Sequence, residues 1–372
     1  VKWGGPNPDA LAALAAARFA DTTVPGHDAL ARLYAARALR AAPLNAAALR
    51  ILALEAERAD DDRAAGALMR IGDRDSRRDL LTQLWLFGNA TETRDWPAAS
   101  RHADALLRQE WTLAATVYPV MILALKDPRA AGPFADRLRA RPDWRRTFLK
   151  SIAVADPPGA ARLFEALAAA GDPPTEAESG VLVGRLVAQG DYGGARAEWL
   201  RLLPHGAPVG RDLIYDGGFL ALPGASPFNW RLISADGANA ELGKSADGAS
   251  ALHVQAPAAR TAALAEQLLV LPPGPYRLSG KVRIEAAPSD DRFSWRVACA
   301  GRPDTALGEA RQAPGAQGWR PFTADFTVPA SGCPAQWLRL DGLAHEGFET
   351  TEAWYRSLRV TPLASASPAP DG

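Results

Sequence analysis

The sequence predicts a multidomain α and β protein: an N-terminal α-α solenoid followed by a C-terminal antiparallel β-sandwich or jelly roll. Two observations carry this. An alanine-centred helical pattern returns at a near-constant interval over residues 1–205, the mark of stacked helical hairpins. After about residue 211 the apolar period changes to two, and short alternating segments are separated by Pro, Gly and Asp.

The helical signature recurs at 29–45, 62–75, 96–109, 128–144, 159–174 and 192–204. Aligned on one small residue, the copies place Ala31, Ala65, Ala99, Ala131, Ala161 and Ala195 in register, with steps of 34, 34, 32, 30 and 34. A helix-turn-helix unit of about 34 residues has this period. A small residue there lets two helices approach closely, and leucines on the following turns fill the groove. Pro43, Pro142 and Pro204 fall just after helix ends, where a missing N–H does no harm. The intervening stretches 45–59 and 79–93 carry apolar residues at helical spacing and supply the partner helices.

Over residues 8–204 the chain resembles the tetratricopeptide repeat family, with Ala31, Ala38 and Pro43 at that motif's small and closing positions. Its Trp, Leu-Gly and Tyr positions are mostly absent. The resemblance implies a superhelical scaffold holding protein partners, here envelope proteins, in a concave groove; a plain helical spacer is the alternative. Arg77, Arg78 and the run 137–146, RLRARPDWRR, form either a basic strip or, interleaved with Asp, solvated helix faces, which account for such runs more often. Trp85, Trp96, Trp111, Trp144 and Trp199 sit inside apolar helical patterns and are expected in the core.

In the second half, strands are expected at 250–256, 264–271, 276–284, 292–299, 321–328, 336–343 and 354–360. In the third of these Tyr276, Leu278, Val282 and Ile284 alternate with Arg277, Ser279, Lys281 and Arg283, so one face is core and the other wet. The opening segment 214–234, IYDGGFLALPGASPFNWRLIS, reads as a first strand and the loop after it. The chain divides as 1–205, 206–363 and a tail, 364–372, whose composition predicts disorder.

Asp216, Gly217, Phe219, Trp230, Gly274, Tyr276 and Leu278 stand where carbohydrate-binding modules of the galactose-binding jelly-roll type place an Asp-Gly-x-Phe step, a Trp and a Pro-Gly, Tyr-x-Leu unit. The resemblance covers residues 211–362. These positions mark a fold, and such folds host binding, structural and inactive versions. Asp216 is either a turn former or part of a structural calcium site of the kind many such jelly rolls carry.

Sugar recognition needs flat apolar faces and planar hydrogen-bonding groups. If Leu338 and Leu340 are core, Trp337, Arg339 and Asp341 face outward; if Trp354, Leu358 and Val360 point in, Tyr355 and Arg359 face outward. Arg277, Lys281, Arg283, Arg292 and Arg296 add a basic face. Such a surface suits an anionic polysaccharide, whose carboxylates pair with guanidinium forks. A solubilising face is the plain alternative.

The chain has 42 basic and 42 acidic residues, which removes the electrostatic footprint of a dedicated nucleic-acid binder. No apolar run approaches the length of a membrane span. It begins Val-Lys-Trp, which leaves room for a removed signal peptide or anchor. Cys299 and Cys333, both in the β-rich half, suggest a disulfide and an oxidising compartment, two buried thiols being the alternative. No nucleophile elbow, phosphate loop or His-Glu-x-x-His occurs, and the five histidines lack metal-ligand spacing. The acidic segment of Asp341, Glu346, Glu349 and Glu352 reads as a polar loop rather than a glycosidase pair.

Together these point to a non-catalytic bacterial scaffold, periplasmic or on the cell surface. It resembles accessory proteins of exopolysaccharide assembly and export. A protein-binding sandwich, and a glycan-modifying enzyme, are the rival expectations.

Overall fold

A computed structural model describes residues 7–75, 77–204, 206–207, 212–235, 237–285, 292–312, 318–346 and 349–363. The tail 364–372 and His205 lie outside the described residues. The chain forms two compact units, Val1–Asp172 and Pro173–Gly372.

The first unit consists of helices α1 (Pro8–Ala20), α2 (His27–Ala41), α3 (Ala46–Arg58), α4 (Asp62–Asp75), α5 (Leu80–Glu92), α6 (Trp96–Gln109), α7 (Ala114–Ala124), α8 (Ala131–Leu138), α9 (Arg145–Ala155) and α10 (Pro157–Ala169). Their starts are written locally. Asn7, Asn45 and Asp95 accept hydrogen bonds from the first free N–H groups of α1, α3 and α6, and prolines occupy the first turns of α1, α6 and α10. Ala31, Ala65, Ala99 and Ala131 are buried as the repeat predicts. In the fifth copy the fully buried alanine is Ala160 rather than Ala161, a one-residue slip. Trp96 and Trp144 are core, whereas Trp111, expected there, is 79% exposed. It lies on the short turn between α6 and α7, beyond the last buried stripe of α6.

A polar network is buried among these helices. His102 donates from Nδ1 to Gln83 Oε1 at 2.8 Å and accepts at Nε2 from Arg101 at 3.2 Å, while Gln83 donates to Asp73 at 2.7 Å. Burial, reinforced by the Arg101 charge, lowers the His102 pKa from 6.5 to about 4. The depressed value means that below pH 6.5 the unfolded chain takes up a proton the folded one refuses. The associated stability is complete above pH 6.5 and is lost, by on the order of 2 kcal/mol, as pH falls towards 4. Urea midpoints at pH 7, 5.5 and 4.5 should therefore fall more steeply for the wild type than for His102→Gln, whose side chain stays neutral. Parallel curves would contradict this account.

The second unit begins with helices α11 (Glu176–Ala188), opened by a Thr175–Glu178 capping box, and α12 (Tyr192–Leu202). The helical period runs on through this hairpin, but its packing is with the β-structure. Trp199 shares a core with Tyr215, Phe228, Leu268 and Ala335, and its indole N–H donates to Ala225 O at 2.7 Å.

Among the described residues ten antiparallel strands follow: β1 (Arg231–Leu232), β2 (Asn239–Lys244), β3 (Ser250–Ala256), β4 (Ala262–Leu269), β5 (Gly274–Glu285), β6 (Phe293–Cys299), β7 (Ala306–Gln312), β8 (Arg320–Val328), β9 (Gln336–Gly342) and β10 (Thr351–Pro362). They build a first sheet ordered β1-β4-β9-β6-β7 and a second ordered β2-β3-β10-β5-β8. All seven strands expected from alternation are present. The inner faces enclose one apolar core, with Trp295, Tyr355, Phe219 and Phe293 among its largest members. Cys299, at the end of β6, and Cys333, before β9, form a disulfide with a Cα–Cα distance of 5.1 Å.

The stretch 214–219 is not a strand but a chain of turns, and regular pairing starts only at β1. The turn is organised by Asp216, whose carboxylate accepts from the backbone N–H groups of Leu220 at 2.7 Å and Leu222 at 3.1 Å. Its carbonyl accepts from Phe219 N–H and from the Trp230 indole at 3.0 Å. Asp216 thus acts through its turn. Among the described residues no group of three or more His, Cys, Asp or Glu is placed to hold a metal.

Candidate functional site

Cross-strand register decides what lies together on the outer face of the first sheet. Glu266 on β4 stands between Arg231 on β1 and Arg339 on β9; Arg339 then faces Arg296 on β6, which faces Glu309 on β7. One step along, Leu268, Trp337 and Ala298 form an apolar row. These rows wall a depression of about 240 Å³, with Arg231, Arg296, Arg339, Glu266, Trp337 and Pro303 in its lining.

Opposite charges are paired across it. Arg231 meets Glu266 at 2.5 Å, Arg339 meets Asp341 at 2.8 Å, and Arg296 lies 3.9 Å from Asp341 and donates to Asp304 O at 3.3 Å. Asp341 shares the outward parity of Trp337 and Arg339, as the alternation predicts, yet it is only 1% exposed. Burial pushes its carboxyl above the usual range, against the opposing pull of Arg339 and Arg296. Its place is beneath the guanidinium groups, where it orients them rather than meeting a ligand. Trp337 is half-buried: one side packs towards the Leu268–Ala335 core and the rest lines the depression.

The other expected site residues divide differently. Arg277, Lys281 and Arg283 do face outward, but on the second sheet, so the basic residues do not form one face. Arg277 is committed to Asp325 by hydrogen bonds of 2.6 and 2.7 Å, and Arg283 is paired with Glu285. Arg292 is 1% exposed and donates to Thr351 Oγ1 and Pro257 O at 3.2 Å each, which makes it a structural side chain.

Tyr355 is fully buried in the core, against the expected outward direction, and Trp354 takes the outward place. The cause is a break in the register of β10 against β5 between Arg356 and Arg359, with Ser357 at φ +57°. A bulge reverses the side-chain parity, so Tyr355 and Leu358 both point inward although their numbers differ by three. Trp354, half-buried on that outer face, stacks on His253 with centroids 4.3 Å apart. The acidic segment is likewise dispersed: Asp341 lies on the first sheet, whereas Glu352 on the second contacts His253 at 3.3 Å and Gln255 at 2.9 Å. Arg231 and Glu266 were invisible in the sequence pattern, since only the pairing of β1 with β4 brings them to the depression.

No family model and no curated protein matches the chain. Among solved structures, it is similar to a CBM4 module at 16% identity, with 40% of this chain and 99% of that one covered and a TM-score of 0.30. It is similar to the TmCBM61 module in complex with β-1,4-galactotriose at 14% identity, covering 41% and 100%, TM-score 0.29. A third similarity is to the CBM22-1 xylan-binding domain from Paenibacillus barcinonensis, at 11% identity, covering 37% and 87%, TM-score 0.26.

Proposed function

We propose that this chain is a non-catalytic polysaccharide-binding protein of an oxidising compartment, the periplasm or the cell surface, in which the sandwich holds the polymer and the helical hairpins dock protein partners during exopolysaccharide assembly or export. The observation that carries the reading is the depression on the first sheet, where an indole face stands beside three guanidinium groups and a carboxylate. Sugar rings offer C–H faces and dense hydroxyls, and this set provides a surface for the first and planar donors and acceptors for the second. Because Glu266 and Asp341 hold the arginines in ion pairs, the groups are preorganised before a ligand arrives. The buried disulfide supports the compartment, as such bridges persist where thiols are not kept reduced. Stacked helical hairpins expose extended surfaces, which supports the docking role.

Affinity electrophoresis through gels containing neutral or acidic polysaccharide tests this. Retardation by at least one polymer is expected, weakened about tenfold by Trp337→Ala, equivalent to about 1.4 kcal/mol. Since Trp337 also packs against the Leu268 core, Arg339→Gln provides a second variant outside that apolar cluster and should weaken binding in the same gel. No retardation by any polymer, or retardation untouched by both substitutions, would sink the reading.

A further inference from the structure

We propose that the helical unit carries a second binding site, a trough for carboxylate-bearing stretches of an acidic polysaccharide, in which Arg77, Arg78, Arg101 and Arg137 take the acid groups and Trp111 takes a sugar face. Two cavities of about 550 and 540 Å³ in this unit share Arg108 and Gln109 in their walls and so lie side by side. The first is basic and the second aromatic, with Tyr118 and Trp144 beside Trp111.

Among the described residues, charge in the basic half is unbalanced. Five arginines face two aspartates, and both aspartates are already engaged. Asp104 holds Arg108 at 2.7 Å and the Trp144 indole at 3.0 Å, and Asp73 accepts from Gln83. Arg77, Arg78 and Arg137 have no ion-pair partner among the described residues, and Arg101 touches only the ring of His102. The neighbouring run differs: Arg141 and Arg145 are paired with Asp172, and Arg139 with Asp136. Unpaired guanidinium groups converging on one cavity favour carboxylates, which they meet with paired donors.

The aromatic half adds the ring. Trp111 is exposed while Trp96 and Trp144 of the same unit are buried, so its indole is presented rather than used for packing. A peptide would instead need amide groups for its backbone. The glutamines here donate internally, Gln83 to Asp73 and Gln109 to the carbonyls of Arg77 and Ala105. Beside Asp143 and Thr147 at the aromatic end, what remains is guanidinium donors and aromatic faces, the set that suits an acidic sugar.

The inference rests on the reading of the chain as a polysaccharide binder and commits the polymer to the acidic class. Titration calorimetry of the full chain with oligogalacturonate tests it. Arg101→Glu/Arg137→Glu should weaken binding at least tenfold and Trp111→Ala about fivefold, with the wild-type affinity falling as salt is raised. Trp111→Ala keeps the test sound if the double reversal unsettles the fold, because that ring lies outside the core. Trp337→Ala separates the two sites: uronate binding that survives it but not the trough substitutions supports the trough even if the sandwich binds nothing. Affinity unchanged in both trough variants would overturn the proposal. So would a poly-glutamate peptide that binds the wild type as tightly as the sugar and is weakened equally by the same substitutions.

Discussion

Replacing Cys299 and Cys333 together by serine is expected to lower the stability of the sandwich unit by about 4 kcal/mol, from loop-closure entropy over a cross-link spanning 34 residues. The segment it closes carries β7, on the edge of the first sheet, and β8, on the edge of the second, so the free chain must fix an excursion between sheets with no cross-link to shorten the search. Both sulfurs lie in the buried core, and Cys333 also offers its carbonyl to the Gln336 side chain at 2.9 Å. Removing the bridge therefore loosens the entry to β9, the central strand beside the candidate depression. Urea unfolding of wild type and double variant, with and without reductant, measures the effect. The wild type should move to the variant's midpoint on reduction, and the variant should not respond. An identical midpoint for oxidised and reduced wild type, or two titratable thiols in denatured unreduced protein, would refute it.

The elements that sequence reasoning found are those whose pattern is local. Seven strands announced themselves by alternation, and the alanine register of the hairpins by its period. The missed strands lack that contrast: β1 is two residues long, while β2 (NAELGK) and β7 (ALGEARQ) offer small or polar residues where a core face would need large apolar ones. Outward parity was correct for Trp337, Arg339 and Arg277, yet parity names a face and not a sheet. The register that separates Arg277 from Arg339 depends on pairings across the whole second half. Tyr355 departs from the alternation because a two-residue period cannot register a bulge. Arg77 and Arg137 are 60 residues apart in sequence, so their convergence needed the helices to stack first.

That bulge also explains why the opening turn is so constrained, and it makes Gly217→Ala the sharper test of the fold. The reversal of parity in β10 leaves the Leu358 N–H pointing out of the ladder with β5, and Gly217 O accepts it at 2.8 Å. The same approach brings the Leu358 carbonyl so close that a Cβ on residue 217 would stand 2.0 Å from its oxygen. Backbone on both sides leaves nothing flexible to give way. An alanine must part the turn from the bulge, break the Leu358–Gly217 bond and disturb the ring packing of Phe219 on Trp230, at a cost of about 3 kcal/mol. The adjacent Gly218→Ala is the control, since its Cβ would meet only the Leu220 side chain at 3.5 Å, ordinary contact, and should cost under about 1 kcal/mol. Thermal unfolding of both variants, followed by Trp fluorescence, distinguishes a specific steric seam from a general dislike of side chains in this loop. Equal shifts for the two would mean that the turn yields and that the bulge, not Gly217, holds the register.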